Sequence, residues 1–276
     1  MDFTTRPVVM GTHGMVSSTH YLASEAGNRA LRRGGNVVDA GATMWFCMTV
    51  LKPHLVGVAG EVPILVYWAD EGRVLSVNGQ GPMPQGVSID WFTEHGYMLI
   101  PEDGFLPAVV PGSFDAWLTL LDEYGTMSLA EVMEPAIGLA GEGFPVYPML
   151  KQAIAGNAER YRAEWPASAK TYLPGGRVPE VGSVIRNPDW ARTFEAVAEE
   201  ERSRGWEVCR DRCCPGVFLP GARRRGDYRL HEEFQVPGCL WSGASRFIDS
   251  GGFRGVPGPD RGASHGELQG SGCLQM

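Results

Sequence analysis

The chain has 276 residues and a formal net charge of −8, with 43% hydrophobic and 20% charged residues. That is enough chain to bury a core, as one large domain or two small ones, at the composition of an ordinary globular protein. The acidic balance argues against nucleic acid or an anionic membrane surface as main partner, and no apolar run approaches the ~20 residues of a membrane span.

In chain order, Met1 to Arg6 shows no basic segment followed by an apolar one, so no signal peptide is expected and the predicted location is cytoplasmic. Met15 to Ser18 reads as a short strand. A helix is predicted from Tyr21 to Arg33, with Leu22, Ala26, Ala30 and Leu31 close to one face. Arg32 and Arg33 suit the negative end of its dipole, and Gly34-Gly35 can supply the left-handed backbone that stops it. Asn36 is a good N-cap for a second helix, Val37 to Leu51, with Asp39 in its first turn. That helix is apolar nearly all round (Ala40, Ala42, Met44, Trp45, Phe46, Cys47, Met48, Val50), which predicts burial on several sides. The Trp45 to Met48 run reads as core rather than as a binding surface. Pro53 ends the helix.

Val62 to Trp68 is a continuous apolar run, of the kind found in buried strands. Arg73 to Asn78 is a second strand, and Asp70-Glu71-Gly72 turns between them, so a β-hairpin is expected. Gly79 to Gly86 is a loop, and Ile89 to His95 a short helix. Ser113 to Glu123 is a helix with Phe114, Trp117, Leu118 and Leu121 on one side, closed by Gly125. Ser128-Leu129-Ala130-Glu131 is a capping-box pattern that opens another, running to about Gly141. Met149 to Arg162 and Asp189 to Glu201 add two more. Helices and strands mix without strict βαβ alternation, so the class is α/β but not a doubly wound sheet.

Composition changes near Glu200, which divides the chain into residues 1–200 and 201–276. The second part holds 14 glycines, 11 arginines, no lysine, and Cys209, Cys213, Cys214, Cys239 and Cys273, whereas Cys47 stands alone before it. It lacks the apolar density that offsets ordering entropy, so an irregular tail is expected. Two accounts stay open: a GC-rich gene read out of frame, or an authentic divergent tail. Without export, no disulfide framework is expected.

Several segments together carry a resemblance. GMVSSTHYLASEAG, LRRGGNVVDA and LKPHLVG in the first sixty residues, and Pro107 to Val146 with its PG–helix–YG–helix–EGFPV layout, resemble the larger subunit of the γ-glutamyltranspeptidase family of N-terminal-nucleophile hydrolases. The likeness covers roughly Val8 to Glu200. It implies a partial four-layer α/β/β/α sandwich, a small-molecule amide substrate, no cofactor, and a precursor that cuts itself. The smaller subunit from that precursor is then the partner, and its new N-terminal threonine the nucleophile. A threonine hydroxyl needs an adjacent base; cleavage creates an α-amine of pKa near ~7.7–8 beside it, and an oxyanion hole completes the acyl-transfer site.

Three departures follow from the residues. No nucleophile segment is present: Thr193 is the last threonine, on a predicted helix. No catalytic residue is therefore assigned, and the chain alone is expected to be inactive. Where the family commonly has Asp-Gly-Arg-Glu, whose arginine holds the substrate α-carboxylate, this chain has Asn78-Gly79-Gln80-Gly81. Gln80 is neutral and cannot form the bidentate pair. The resemblance then implies another acyl group, as in a cephalosporin-acylase-like or small-amide hydrolase. Finally, the family's glycine run is reduced to Gly57 and Gly60 within Pro53 to Glu61. Glu61 could line a cleft, but a surface or turn role is the plainer one.

Other residues invite sharper readings. Ser17, Ser18 and His20 suggest a nucleophile and base, against a capping role at a strand end; no third orienting group is evident. His13, His54 and His95 are scattered without metal-ligand spacing, and Cys209, Cys213, Cys214 and His231 match no common zinc pattern, so no metal is expected. Arg223-Arg224-Arg225 lacks the interleaved aromatics of a nucleic-acid surface. Two functions compete: a γ-glutamyltranspeptidase-like amide hydrolase or acyltransferase, and a non-catalytic fragment, pseudoenzyme or large subunit awaiting a partner chain.

Overall fold

The computed structural model describes residues 8–84, 87–102, 104 and 106–204. Among them the elements in order are α1 (Tyr21–Arg32), α2 (Val37–Leu51), β1 (Val62–Trp68), β2 (Arg73–Gly79), α3 (Ile89–Glu94), α4 (Ser113–Tyr124), α5 (Leu129–Gly141), β3 (Phe144–Pro145), α6 (Pro148–Ala163), α7 (Pro166–Tyr172), β4 (Val184–Ile185) and α8 (Pro188–Arg204). The described residues are thus mostly helical, with two two-stranded antiparallel pairs, β1–β2 and β3–β4. The predicted α/β mixture is present at this coarser level. α7 and the β3–β4 pair were not predicted.

α2 organises the core. Its buried residues lie all round its axis, from Val38 to Leu51, and it packs against α1, α4 and α5. Phe46 is fully buried and meets Phe114 of α4 and Phe194 of α8 edge-on, at centroid distances of 6.0 and 5.6 Å. Such edge-to-face contacts suit the quadrupole of each ring. α1 offers small residues to α2, and Ala23, Ala26, Gly27 and Ala30 form its buried face. Leu22, expected on that face, is half-buried.

The turn between α1 and α2 follows from its residues. Gly34 takes a φ of 96°, open to glycine at no steric cost. The Asn36 side chain then accepts from the N–H groups of Val38 and Asp39, and the Asp39 carboxylate accepts from Asn36 N at 2.8 Å, a reciprocal capping box. Asp39 is also fully buried. It reaches across to the α4–α5 turn, accepting from Thr126 N at 3.0 Å, Thr126 Oγ1 at 2.7 Å and Met127 N at 3.1 Å.

α8 closes the helical layer over α5. The Glu201 carboxylate accepts from Leu129 N and Ala130 N at 2.8 and 2.9 Å, which places negative charge at the N-terminus of α5. α8 therefore runs past the compositional change at residue 200 with a defined contact.

Two strand expectations need correction. Met15 to Ser18 is irregular, because no neighbouring strand among the described residues offers a ladder for its backbone groups. β1 is not buried on both faces. It pairs with β2 from Val62↔Gly79 to Trp68↔Arg73, and its residues alternate between half-buried and exposed. Ile64, Val66 and Trp68 pack on the core, while Leu65 and Tyr67 are 75% and 64% exposed. The helices cover one face of the hairpin, and no described element covers the other.

Two outcomes follow. Asp39→Ala strands three backbone N–H donors, so at ~1–3 kcal/mol each the loss should be about 3 kcal/mol or more in urea unfolding, and Asp39→Asn should lose less. A wild-type midpoint for Asp39→Ala would show that the clamp is dispensable. The bare β1 face should make the isolated chain self-associate; light scattering should fall for Leu65→Lys/Tyr67→Lys while the melting temperature holds. A wild-type chain that stays monomeric at high concentration contradicts this.

Candidate functional site

The hairpin ends in a crossing of backbones. Gly79, Gly81 and Gly112 bring the end of β2, the following loop and the start of α4 into contact. A Cβ on Gly81 would sit 1.3 Å from Val110 O, and one on Gly112 would sit 2.4 Å from Gly79 O. Only main chain fits there. Val110 N donates to Pro82 O at 2.9 Å, and Gly112 N and Ser113 N donate to Gly60 O at 3.2 and 3.0 Å. Ser113 is buried, with its hydroxyl on Val58 O at 2.8 Å. The loop after α2 is thereby tied to the start of α4.

Gln80 projects from this frame. Its N–H donates to Asn78 Oδ1 at 3.1 Å, which turns the chain at the end of β2, and its side chain is exposed. A polar head in this place is carried by a stretch where main chain packs directly on main chain. It can donate or accept hydrogen bonds but brings no charge. Glu61 is also exposed, at the start of β1. Ser113 and Gly112 were not singled out individually in the sequence, although the quoted Pro-Gly segment contains them.

The remaining candidates fall apart spatially. His20 is the N-cap of α1, with Nδ1 accepting from Leu22 N, and Ser18 Oγ donates to His20 O at 2.8 Å. Ser18 Oγ also shares a 2.8 Å hydrogen bond with Ser24 Oγ. These contacts belong to a capped helix start, and Ser17 is exposed. His13 bonds Thr12, and His95 stacks on Trp91 at 4.0 Å within and beyond α3. Among the described residues no group of three His, Cys, Asp or Glu could hold a metal. Cys47 is buried, and burial pushes its thiol up to about 12, which leaves it inert. Cys209, Cys213, Cys214, Cys239, Cys273, His231 and Arg223 to Arg225 lie outside the described residues.

One polar cluster does form. His20, His54 and Tyr147 meet where α1 begins, α2 ends and α6 begins, and Lys52 is the residue that caps α2 there. The Tyr147 ring lies 5.1 Å from His20 and 6.3 Å from His54, and its hydroxyl donates to Leu51 O at 3.0 Å. Burial holds both imidazoles below their ordinary range, and the Lys52 charge adds to it. Burial raises the phenol of Tyr147 to about 12, so it stays neutral.

The profile of the family described as Gamma-glutamyltranspeptidase matches residues 23–207. A glutathione hydrolase-like YwrD proenzyme of Bacillus subtilis (strain 168) is 37% identical over 200 residues, which make 72% of this chain and 38% of that protein. An acylase ACY 1 proenzyme of Pseudomonas sp. (strain V22) is 34% identical over 209 residues, 72% of this chain and 37% of that protein. The solved cephalosporin acylase of Bacillus halodurans superimposes with a TM-score of 0.62 at 29% identity, over 83% of this chain and 44% of that one. The chain spans less than half the length of each.

The two histidines predict a pH dependence. Their folded pKa values lie below the unfolded ones, so the unfolded chain binds protons that the folded rings refuse. Their contribution to stability is then full above about pH 6.5 and declines as pH falls through the folded values. Melting temperature should drop over that range, and a His20→Asn/His54→Gln variant should flatten the drop. An unchanged slope in the variant would assign the effect to other groups.

Proposed function

The chain belongs to the γ-glutamyltranspeptidase family, and we propose on that premise that it supplies the N-terminal scaffold of an amide hydrolase or acyltransferase whose acyl group carries no glutamyl α-carboxylate. The family match over residues 23–207, and the likeness to glutathione hydrolase-like and acylase proenzymes, support the reaction class. The observation that carries the substrate reading is Gln80, a neutral head on a rigid backbone frame where the resemblance calls for arginine. A guanidinium would offer a fork of donors and a full charge to a carboxylate; an amide offers neither. A small acyl group without a terminal carboxylate needs no such pair, whereas a glutaryl group, which lacks only the α-amine, would still call for one.

In this reading β1–β2 and the helices packed on it are one sheet layer and one helix layer of a four-layer α/β/β/α sandwich. The bare hairpin face bearing Leu65 and Tyr67 is where a second sheet would stack. The nucleophile is an N-terminal threonine freed by self-cleavage, with its own α-amine as base.

A second reading has its own observation. No threonine follows Thr193 in residues 1–276, and Thr193 is buried in α8 with its hydroxyl on Asp189 O at 2.9 Å. These residues then act as a non-catalytic polypeptide, a pseudoenzyme or a large subunit completed by a partner chain.

Incubating the purified chain with a γ-glutamyl anilide and a glutaryl amide should give no turnover of either. Turnover would overturn the expected inactivity. In a full-length relative with glutamine at the position matching Gln80, arginine should raise kcat/KM for the γ-glutamyl anilide about tenfold or more, from a charge-assisted pair of ~1.5–3 kcal/mol. No gain would remove Gln80 from substrate selection.

A further inference from the structure

The chain leaves the glycine frame just after Gln80 and comes back to it at Val110. Gly81 lies against Val110 O, and Val110 N donates to Pro82 O, so both sides of this neck are main chain in contact. Between them the end of α3 folds on itself. Tyr97 N donates to Phe92 O at 2.9 Å, the Tyr97 ring meets Phe92 edge-on at 5.9 Å, and Trp91 stacks on His95. Phe92 and Leu106 are buried, yet neither belongs to the main core. The excursion is a satellite with its own small aromatic core.

Directly after that core come Met98, Leu99 and Ile100, which are 91%, 85% and 51% exposed. None of the three packs on the main core. Three consecutive apolar side chains in water do nothing for the fold, and a turn is made as well by polar residues. Such a run is accounted for by something that covers it. The charge around it has one sign. Glu94 precedes it, Glu102 follows it and Asp90 lies on α3; all three are exposed, with no ion pair or side-chain hydrogen bond among the described residues. No Lys or Arg occurs between Arg73 and Lys151. These acids sort the possible covers. An anionic lipid surface is repelled. A second copy docked about a two-fold axis sets the same acids against one another. A positively charged partner gains from the apolar contact and from the acids together.

We propose that Met98 to Ile100 anchor a docking surface for a polypeptide segment of complementary character, apolar residues flanked by Lys or Arg. Met98 and Leu99 supply the apolar contact, and the unbranched Met98 side chain adapts to the shape it meets. Glu94 and Glu102 form the polar rim, where charge selects the partner and speeds the encounter more than it adds affinity. The surface uses neither Gln80 nor the bare hairpin face.

The probe is a fluorescein-labelled amphipathic peptide of leucine and lysine, titrated with the full chain and followed by anisotropy. A leucine–glutamate peptide of the same pattern is the charge control. The lysine peptide should bind saturably, and more weakly as salt rises, while the glutamate peptide should not bind. Met98→Ser/Leu99→Ser should weaken binding about tenfold or more. Glu94→Gln/Glu102→Gln should weaken it about threefold and flatten the salt dependence. Leu65→Ser/Tyr67→Ser, on the hairpin, should leave the affinity unchanged. All these side chains are exposed, so the melting temperature should hold in every variant. Equal affinity of the wild type and Met98→Ser/Leu99→Ser overturns the surface, as does a loss confined to Leu65→Ser/Tyr67→Ser. Equal binding of the two peptides overturns the basic partner. A wild-type dimer in sedimentation that Met98→Ser/Leu99→Ser abolishes gives the run to a second copy, and overturns the proposal too.

Discussion

Asp39 is the interaction on which the rest of the described fold depends. It is an acidic side chain with no exposure, placed by helix geometry in the first turn of α2. From there it satisfies Asn36 N behind it and Thr126 N, Thr126 Oγ1 and Met127 N across from it. Two turns distant in sequence, α1–α2 and α4–α5, are thereby held by one carboxylate. Buried backbone donors must find partners, and in turns they cannot find them in a ladder or a helix. A single acceptor with two oxygens does this for three of them at once.

The position of the helices follows. With both turns fixed, α2 is set against α1 on one side and α5 on the other, and its apolar surface has no polar face to hide. Trp45, Phe46, Phe114 and Phe194 then fill the space between α2, α4 and α8. Glu201 repeats the device at a second helix start, since a side chain from α8 meets the free N–H groups of α5. Tertiary contacts are thus specified by polar groups at helix ends, while burial supplies the driving force.

Local signals were legible where a residue's conformation is its own property. Gly34, Asn36, Ser128 and Glu131 place helix ends by backbone φ and by short-range hydrogen bonds, and the structure has them in those roles. The limits of α2 and the hairpin pairing were likewise readable. What a composition window cannot give is the partner at a distance. Asp39 reads as an ordinary first-turn acid until Thr126 and Met127 are seen against it. A side chain on Gly35 would meet Met127 Sδ at 2.6 Å, a restriction that LRRGGNVVDA alone does not reveal. β1 looked buried because Val62 to Trp68 is apolar throughout, yet burial is a property of what lies opposite, and here one face has no described element opposite it.

The same distinction separates scaffold from chemistry. The segments that carry the family resemblance supply turn formers, caps and core residues, whose roles in the structure are explained by folding alone. Gln80 differs, because its side chain makes no contact that holds the hairpin together; its backbone does that through Asn78. A residue exposed on a frame as tight as Gly79, Gly81 and Gly112 is free to vary in chemistry without cost to the fold. On the proposed reading, substrate preference changes at this point while every cap and core residue stays as it is. A scaffold can name a family and still leave its acyl group open, because the two are carried by different atoms.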